Sequence, residues 1–191
     1  MTEWAEKNDG FFKIAKLGDL FDQGGEHLVY ESSEADNRFF KVTHPGQAGL
    51  CLATKMIGGD LHVAQTSATP IDYLRRFICV NQIFGDQVRF EGMIDGDQPS
   101  LVISQPKLEG TLPEAMAINE MLKGIGFQRT DLLMWYHPGI GIALGDTKRA
   151  NFLQTPDAAV VPIDVLTQRA TPDMAAAWGF PPPDEDDEFF D

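Results

Sequence analysis

The sequence predicts an α+β fold, with strands in both halves and two helices set between them. Three observations carry that expectation. Short apolar or β-branched stretches are bounded by turn residues, two segments combine helix-start signals with apolar spacings of three and four, and no internal repeat is present. The order reads strands, helix, strands, helix, then a strand-and-loop segment holding several polar residues.

His27–Glu31 and Arg38–Thr43 are the first expected strands, separated by the polar cluster Ser32-Ser33-Glu34-Ala35-Asp36-Asn37. The resulting hairpin carries Lys41 between Phe40 and Val42, and strand alternation turns the lysine away from both neighbours, either into solvent as an ordinary hairpin lysine or towards a cleft. From Pro45 to Thr69 the chain is Gly-rich and without periodicity, which reads as a long loop with a local hairpin. A helix follows: Thr69 is its cap, Pro70 suits its first position, and Asp72 stands three residues after the cap. Leu74, Phe77, Ile78, Asn81 and Phe84 keep one face, and Gly85-Asp86 ends the helix. Val88–Met93 and Leu101–Ser104 are expected strands joined by the turn Asp95-Gly96-Asp97. A second helix is expected behind the capping box Thr111-Leu112-Pro113-Glu114. Its stripe is Ala115, Ile118, Leu122 and Ile125, with a stop at Gly124 or Gly126. Leu132 to Arg169 reads as strand and loop, and 171–191 as a Pro- and acid-rich disordered tail.

At 191 residues the chain suffices for one substantial domain or for two small lobes sharing a cleft, and 43% hydrophobic residues provide a core. Every apolar run is interrupted by charge, Gly or Pro, and the N-terminus lacks a basic stretch followed by an apolar one. The expectation is a soluble, cytoplasmic protein with no membrane partner. Cys51 and Cys79 have no metal-ligand spacing and read as reduced thiols, and the four histidines are scattered singly. Net charge is −14, and six acids lie in the last eight residues, which leaves −8 elsewhere (−14 + 6). That balance opposes binding to nucleic-acid phosphates. The tail reads as a solubility device or, more sharply, as an acidic peptide closed by Phe189 and Phe190 that docks on a basic partner.

The chemistry concentrates in Leu144-Gly145-Asp146-Thr147-Lys148-Arg149-Ala150-Asn151-Phe152-Leu153, followed by Val160-Val161-Pro162-Ile163-Asp164-Val165. Asp, Lys and Asn stand at n, n+2 and n+5, and an Asp flanked by apolar residues lies thirteen positions beyond the Asn. Phosphoryl transfer needs such a set: a carboxylate for the attacking hydroxyl, a cation for the moving phosphoryl charge, and oxygen ligands for Mg²⁺. Any one of these residues has an ordinary explanation as surface-turn decoration. Their combination with an upstream strand lysine is what points to a phosphotransfer site.

The Asp-x-Lys-x-x-Asn run with its downstream Asp resembles the catalytic and metal-binding loops of the protein-kinase-like superfamily. Gly145-Asp146 brings it nearer to the small-molecule phosphotransferase branch. The arrangement most resembles the small kinase-like domains of bacterial and phage polyvalent proteins. The shared features are the Gly24-Gly25-Glu26-His27-Leu28-Val29-Tyr30 turn and strand, the Asn81–Phe84 helix end, and Ile103-Ser104-Gln105-Pro106 at the hinge position. The resemblance covers about Leu20 to Arg169. It implies a reduced protein-kinase-like fold over 1–170, with an N-lobe about 11–104, a hinge about 104–110 and a small C-lobe about 111–170. It implies ATP and Mg²⁺ as ligands, with Asp146 and Lys148 catalytic and Asn151 and Asp164 on the metal. Lys41, Gly24, Gly25, Glu26 and Gln105 fall to the nucleotide. An acid facing Lys41 belongs to the pattern, and Asp72 and Glu26 are the two candidates.

Three features depart from the pattern. The turn has two adjacent glycines only, and Val165-Leu166 follow Asp164 where the family has Phe-Gly, so no mobile activation segment is expected. With 27 residues after Asp164 (191 − 164), the peptide-binding helical lobe of the larger kinases is expected to be missing. The functional expectation is an ATP·Mg-dependent phosphotransferase whose acceptor, a protein or a small molecule, stays open. Its alternatives are a pseudokinase acting as a nucleotide- or protein-binding module and an acidic interaction protein.

Overall fold

In the computed structural model, residues 2–34 and 36–183 are described, and the chain mixes helices with mostly antiparallel strands. The first elements are α1 (Thr2–Asn8), β1 (Leu17–Gln23), β2 (His27–Ser32), β3 (Arg38–Thr43), β4 (Leu50–Ile57) and β5 (Asp60–Ser67). Then come α2 (Pro70–Phe84), β6 (Arg89–Ile94), β7 (Ser100–Pro106), α3 (Ala115–Gly124), β8 (Gln128–Asp131) and β9 (Met134–His137). The last are β10 (Ile142–Gly145), β11 (Phe152–Gln154), β12 (Val160–Pro162), β13 (Leu166–Arg169) and α4 (Pro172–Ala177). They fall into two compact units. One holds 1–50, 67–81 and 85–107, and the other holds 51–66, 82–84 and 108–191.

The first unit is built on an antiparallel sheet of order β1-β2-β3-β7-β6. Strand alternation sends Phe40, Val42 and Val102 to one face, where Phe12 joins them. Leu101 and Ile103 go to the other, against Tyr73 and Val80 of α2 and Ala5 of α1. The start of α2 follows the local chemistry read from its sequence. Thr69 Oγ1 accepts from the Asp72 N–H and the Asp72 carboxylate accepts from the Thr69 N–H, each at 3.2 Å. Gly85 ends the helix in the left-handed region, φ 69, with its N–H on the Asn81 carbonyl.

The second unit carries a four-stranded sheet of order β13-β10-β9-β8 and the ladders β11-β12 and β4-β5. Its buried residues come from α3 (Ile118, Leu122), β9 (Trp135, Tyr136), β10 (Ile142, Ala143, Leu144) and α4 (Met174, Ala175). β4 is tied to β13 by one side chain. Gln168 Oε1 accepts from Leu52 N at 2.6 Å, and its Nε2 donates to Leu52 O at 3.0 Å.

Several elements differ from the sequence expectation. The Pro45-to-Thr69 region is largely a hairpin of two eight-residue strands turned at Gly58-Gly59; its alternation is weak in sequence because only Leu52 and Val63 among its apolar residues are buried. Thr111 does not cap α3: it forms an isolated bridge to Gln154, and Glu114 precedes the helix without a side-chain cap bond. The disordered tail is corrected over its first part. Thr171 caps α4 by accepting from Met174 N, and Trp178 and Phe180 pack on Tyr136, with ring centroids 5.8 and 5.0 Å away. The acids of 184–191, with Phe189 and Phe190, lie outside the described residues. Among the described residues no helix is long and apolar enough to cross a membrane, and neither Cys51 nor Cys79 is in a disulfide.

Candidate functional site

In the second unit, β10 is buried throughout and its last residue, Gly145, pairs with Leu166, the first residue of β13. Asp146 therefore leaves the sheet at the end where the Ile163–Val165 connection enters it. Asp146 has φ 52, a left-handed conformation that Asp tolerates better than most residues. Its Oδ2 accepts from Lys148 Nζ at 3.0 Å and from Asn151 Nδ2 at 2.8 Å, and its carbonyl accepts from the same amide nitrogen at 2.7 Å. Asn151 is buried in a single 3-10 turn, Arg149–Asn151, and its carbonyl accepts from Ile163 N at 2.8 Å. That bond sets Asp164, half-buried in the bend before β13, beside Asn151 in the backbone framework. Four residues read from the sequence as a set (Asp146, Lys148, Asn151, Asp164) thus gather at one end of one sheet. Gly145 has a packing reason: a Cβ there would stand 2.6 Å from Leu52 Cδ2, so the hairpin β4-β5 occupies the space a side chain would need.

In the first unit, Gly24-Gly25 turns β1 into β2, closed by Gly24 N donating to His27 O at 2.9 Å. Neither glycine has positive φ, a Cβ on Gly25 would meet nothing within 4 Å, and one on Gly24 would meet only His27 O at 3.9 Å. Neither backbone conformation nor internal packing demands glycine there. Glu26 holds the turn in place: its Oε1 accepts from Arg76 Nη1 at 2.7 Å and from Leu50 N at 2.8 Å. The neighbouring Gly49 has φ 75 and leaves no space for a side chain, since a Cβ would stand 2.7 Å from Tyr73 and clash with the Glu26 carboxylate. His27 Nε2 lies 2.7 Å from Tyr73 Oη, a second link from β2 to α2.

Lys41 pairs across β3 with Val29 of β2 and Ile103 of β7, so it shares the α2-facing side of the sheet. Phe39 pairs with Gln105, which places Gln105 diagonally from Lys41 on that same side. Gln105 is buried and its Nε2 lies 3.5 Å from Asp86 Oδ2. Burial pushes the Asp86 carboxyl up to about 6, while the Lys41 ammonium pulls it the other way. The two acids expected to face Lys41 have other principal bonds, Asp72 in the helix cap and Glu26 on Arg76 and Leu50. Asp86 is an acid whose titration feels Lys41.

Sequence reasoning missed Asp86, Arg76 and Arg38. Arg38 is buried and donates to Ser104 Oγ at 2.8 Å, to Ser104 O at 2.9 Å and to Gln87 O at 2.7 Å. Burial pushes its pKa down. An isolated buried-cation signal was available in Arg38-Phe39-Phe40, a charged residue opening an apolar strand; Arg76 and Asp86 left none.

In the second unit, two residues carry oxygen atoms of the kind a hard cation takes. Asn151 spends its amide hydrogens on Asp146, so its carbonyl oxygen Oδ1 is the atom it can offer a cation, and Asp164 supplies a carboxylate. No protein-family model matches the sequence, and no curated protein is similar to it.

Proposed function

We propose that the chain is an ATP·Mg-dependent phosphotransferase with a reduced protein-kinase-like fold, working in the cytoplasm on an acceptor hydroxyl. The observation that carries the reading is the closure of Asp146, Lys148 and Asn151 into one hydrogen-bonded set, with Asp164 joined to it through the Ile163–Asn151 bond. Asp146 orients the acceptor and takes its proton, and the left-handed backbone holds that carboxylate away from the sheet end. Lys148, about half-exposed, screens the phosphoryl charge. Asn151 and Asp164 hold Mg²⁺, which neutralises phosphate charge when bound. Lys41 grips the α/β phosphates, the Gly24-Gly25 turn covers them, and Gln105 belongs to the strand that reads the base. Glu26 serves the nucleotide by fixing the turn to α2. The second reading is a nucleotide-binding module without turnover; the short two-glycine turn favours it.

The test is a thermal melt with ATP and Mg²⁺, with ATP and EDTA, and with the Asp164→Ala variant, followed by ATP turnover of Asp146→Asn. Asn is chosen because it tolerates the φ of 52 that Ala would strain. A metal-dependent stabilisation lost in Asp164→Ala, with turnover lost in Asp146→Asn, supports the phosphotransferase. Binding without turnover in the wild type selects the second reading, and no stabilisation overturns both.

A further inference from the structure

We infer that Arg149 is the positioning residue of the Asp146–Lys148–Asn151 set, acting through the main-chain carbonyl of Pro113. Its consequence for catalysis rests on the phosphotransferase reading, and its evidence lies within the second unit. The turn that carries the set is short. Arg149–Asn151 is a single 3-10 turn, closed by Asn151 N donating to Lys148 O at 2.9 Å, and Lys148 makes no side-chain cap bond. A turn of one hydrogen bond does not hold itself. Lys148, Arg149 and Ala150 are all exposed, so burial does not hold it either.

Arg149 supplies the hold from outside. Its Nε donates to Pro113 O at 2.8 Å, across 36 positions of sequence. The segment that receives it is itself fastened to β11. Thr111 and Gln154 exchange backbone bonds at 2.9 and 2.8 Å. Gly110 lies so close that a Cβ there would clash with Gln154 O and stand 2.7 Å from Leu153 Cγ. The two stretches run antiparallel, 149 on 113 and 154 on 111, so Asn151 lies between two fastenings. The Thr111-Leu112-Pro113-Glu114 motif, which does not cap α3, thereby finds a use: Thr111 pairs with β11, and Pro113, ring-fixed in φ, offers the loop a carbonyl. Glu114 contributes little, since its carboxylate is 82% exposed and stands 3.5 Å from Arg149 Nη2. The Nε bond is the one that matters. It sets where the turn begins, and with it the amide that Asn151 gives to Asp146.

The experiment compares Arg149→Gln with Arg149→Met in full-length ¹⁵N-labelled protein. Gln Nε2 stands as many bonds from Cα as Arg Nε and still donates, whereas Met has the same reach with no donor. Solvent exchange of the Asn151 Nδ2 protons, assigned with Asn151→Ala, is measured by magnetisation transfer from water without nucleotide. Hydrogen–deuterium exchange of the β10 amides reports global opening, and ATP turnover is then resolved into kcat and KM. In Arg149→Met the Asn151 protons are expected to exchange about tenfold faster and kcat to fall about tenfold, with KM for ATP and the β10 amides unchanged. Arg149→Gln is expected to restore both. Wild-type exchange in Arg149→Met overturns the clip. A loss shared by both variants, or one accompanied by faster β10 exchange, overturns it by assigning the effect to charge or to general stability. Faster Asn151 exchange with an unchanged kcat overturns the positioning role. If the wild type turns over no ATP, the phosphotransferase reading fails while the exchange arm still decides the clip.

Discussion

Arg76 Nη1 donates to Glu26 Oε1 at 2.7 Å, joining α2 to the turn between β1 and β2 across 50 residues of sequence. Both side chains are almost wholly buried, 3% and 10% exposed. In such a pair the desolvation of each charge is offset only while its partner is present, so losing one partner costs about 3–5 kcal/mol. Glu26→Ala and Arg76→Ala are each expected to lower the urea-unfolding free energy by about that amount, with the double variant losing well under the sum. Additive losses would mean that the two charges are solvated separately.

The contact of Leu52 with Gly145 makes a second expectation. A methyl on Gly145 would press on Leu52 Cδ2 at 2.6 Å, and overpacking of this kind costs about 1–3 kcal/mol. Gly145→Ala should destabilise by that amount, and Leu52→Val in the same chain should recover part of it by withdrawing the δ-methyls. If Gly145→Ala melts with the wild type, β4 does not close over Asp146's neighbour.

What was legible in the sequence was local. Thr69, Pro70 and Asp72 lie within one turn of helix, and the capping box they suggest forms. Arg38–Thr43 announces itself as a strand by its own bulky residues and is a strand over that span. Asp146, Lys148 and Asn151 sit within six positions, so one turn of chain brings them into hydrogen-bonding range. The failures share a different character. Thr111 had the right spacing to Glu114, yet its backbone is taken by Gln154, a partner 43 positions away (154 − 111). Thr171-Pro172 repeats the Thr69-Pro70 start signal, but the Ala-rich helix behind it stands only because Met174 and Ala175 find a buried place and Trp178 stacks on Tyr136. The contact of Gln105 with Asp86 is set by sheet register and a pinned turn, which no short window contains.

The Asp86 carboxyl gives a pH dependence with a definite sign. Its folded pKa is raised from 3.8 to about 6, so between these values the folded chain binds more protons than the unfolded one. Stability contributed by this group therefore falls as pH rises through that window and levels off above it. Asp86→Asn has no such group. The wild-type unfolding free energy should drop relative to the variant by on the order of 2–3 kcal/mol between pH 4 and pH 7. A difference that does not change with pH would sink the raised carboxyl.

Asn151 tests whether the set around Asp146 is a cation site. Its amide donates twice to Asp146, so Asn151→Ala should lose about 1–3 kcal/mol from the unmade bonds. Asn151→Asp has a different fault: it sets a second carboxylate where a donor stood 2.8 Å from Asp146 Oδ2, and like charges at that range repel. A divalent cation held by Asp164 and the new carboxylate relieves that repulsion, whereas it offers nothing to the alanine variant. Millimolar Mg²⁺ without nucleotide should therefore raise the melting midpoint of Asn151→Asp and leave that of Asn151→Ala in place. Equal responses of the two variants would remove the metal role from Asn151, and with it the reason for Asp164 to lie beside it.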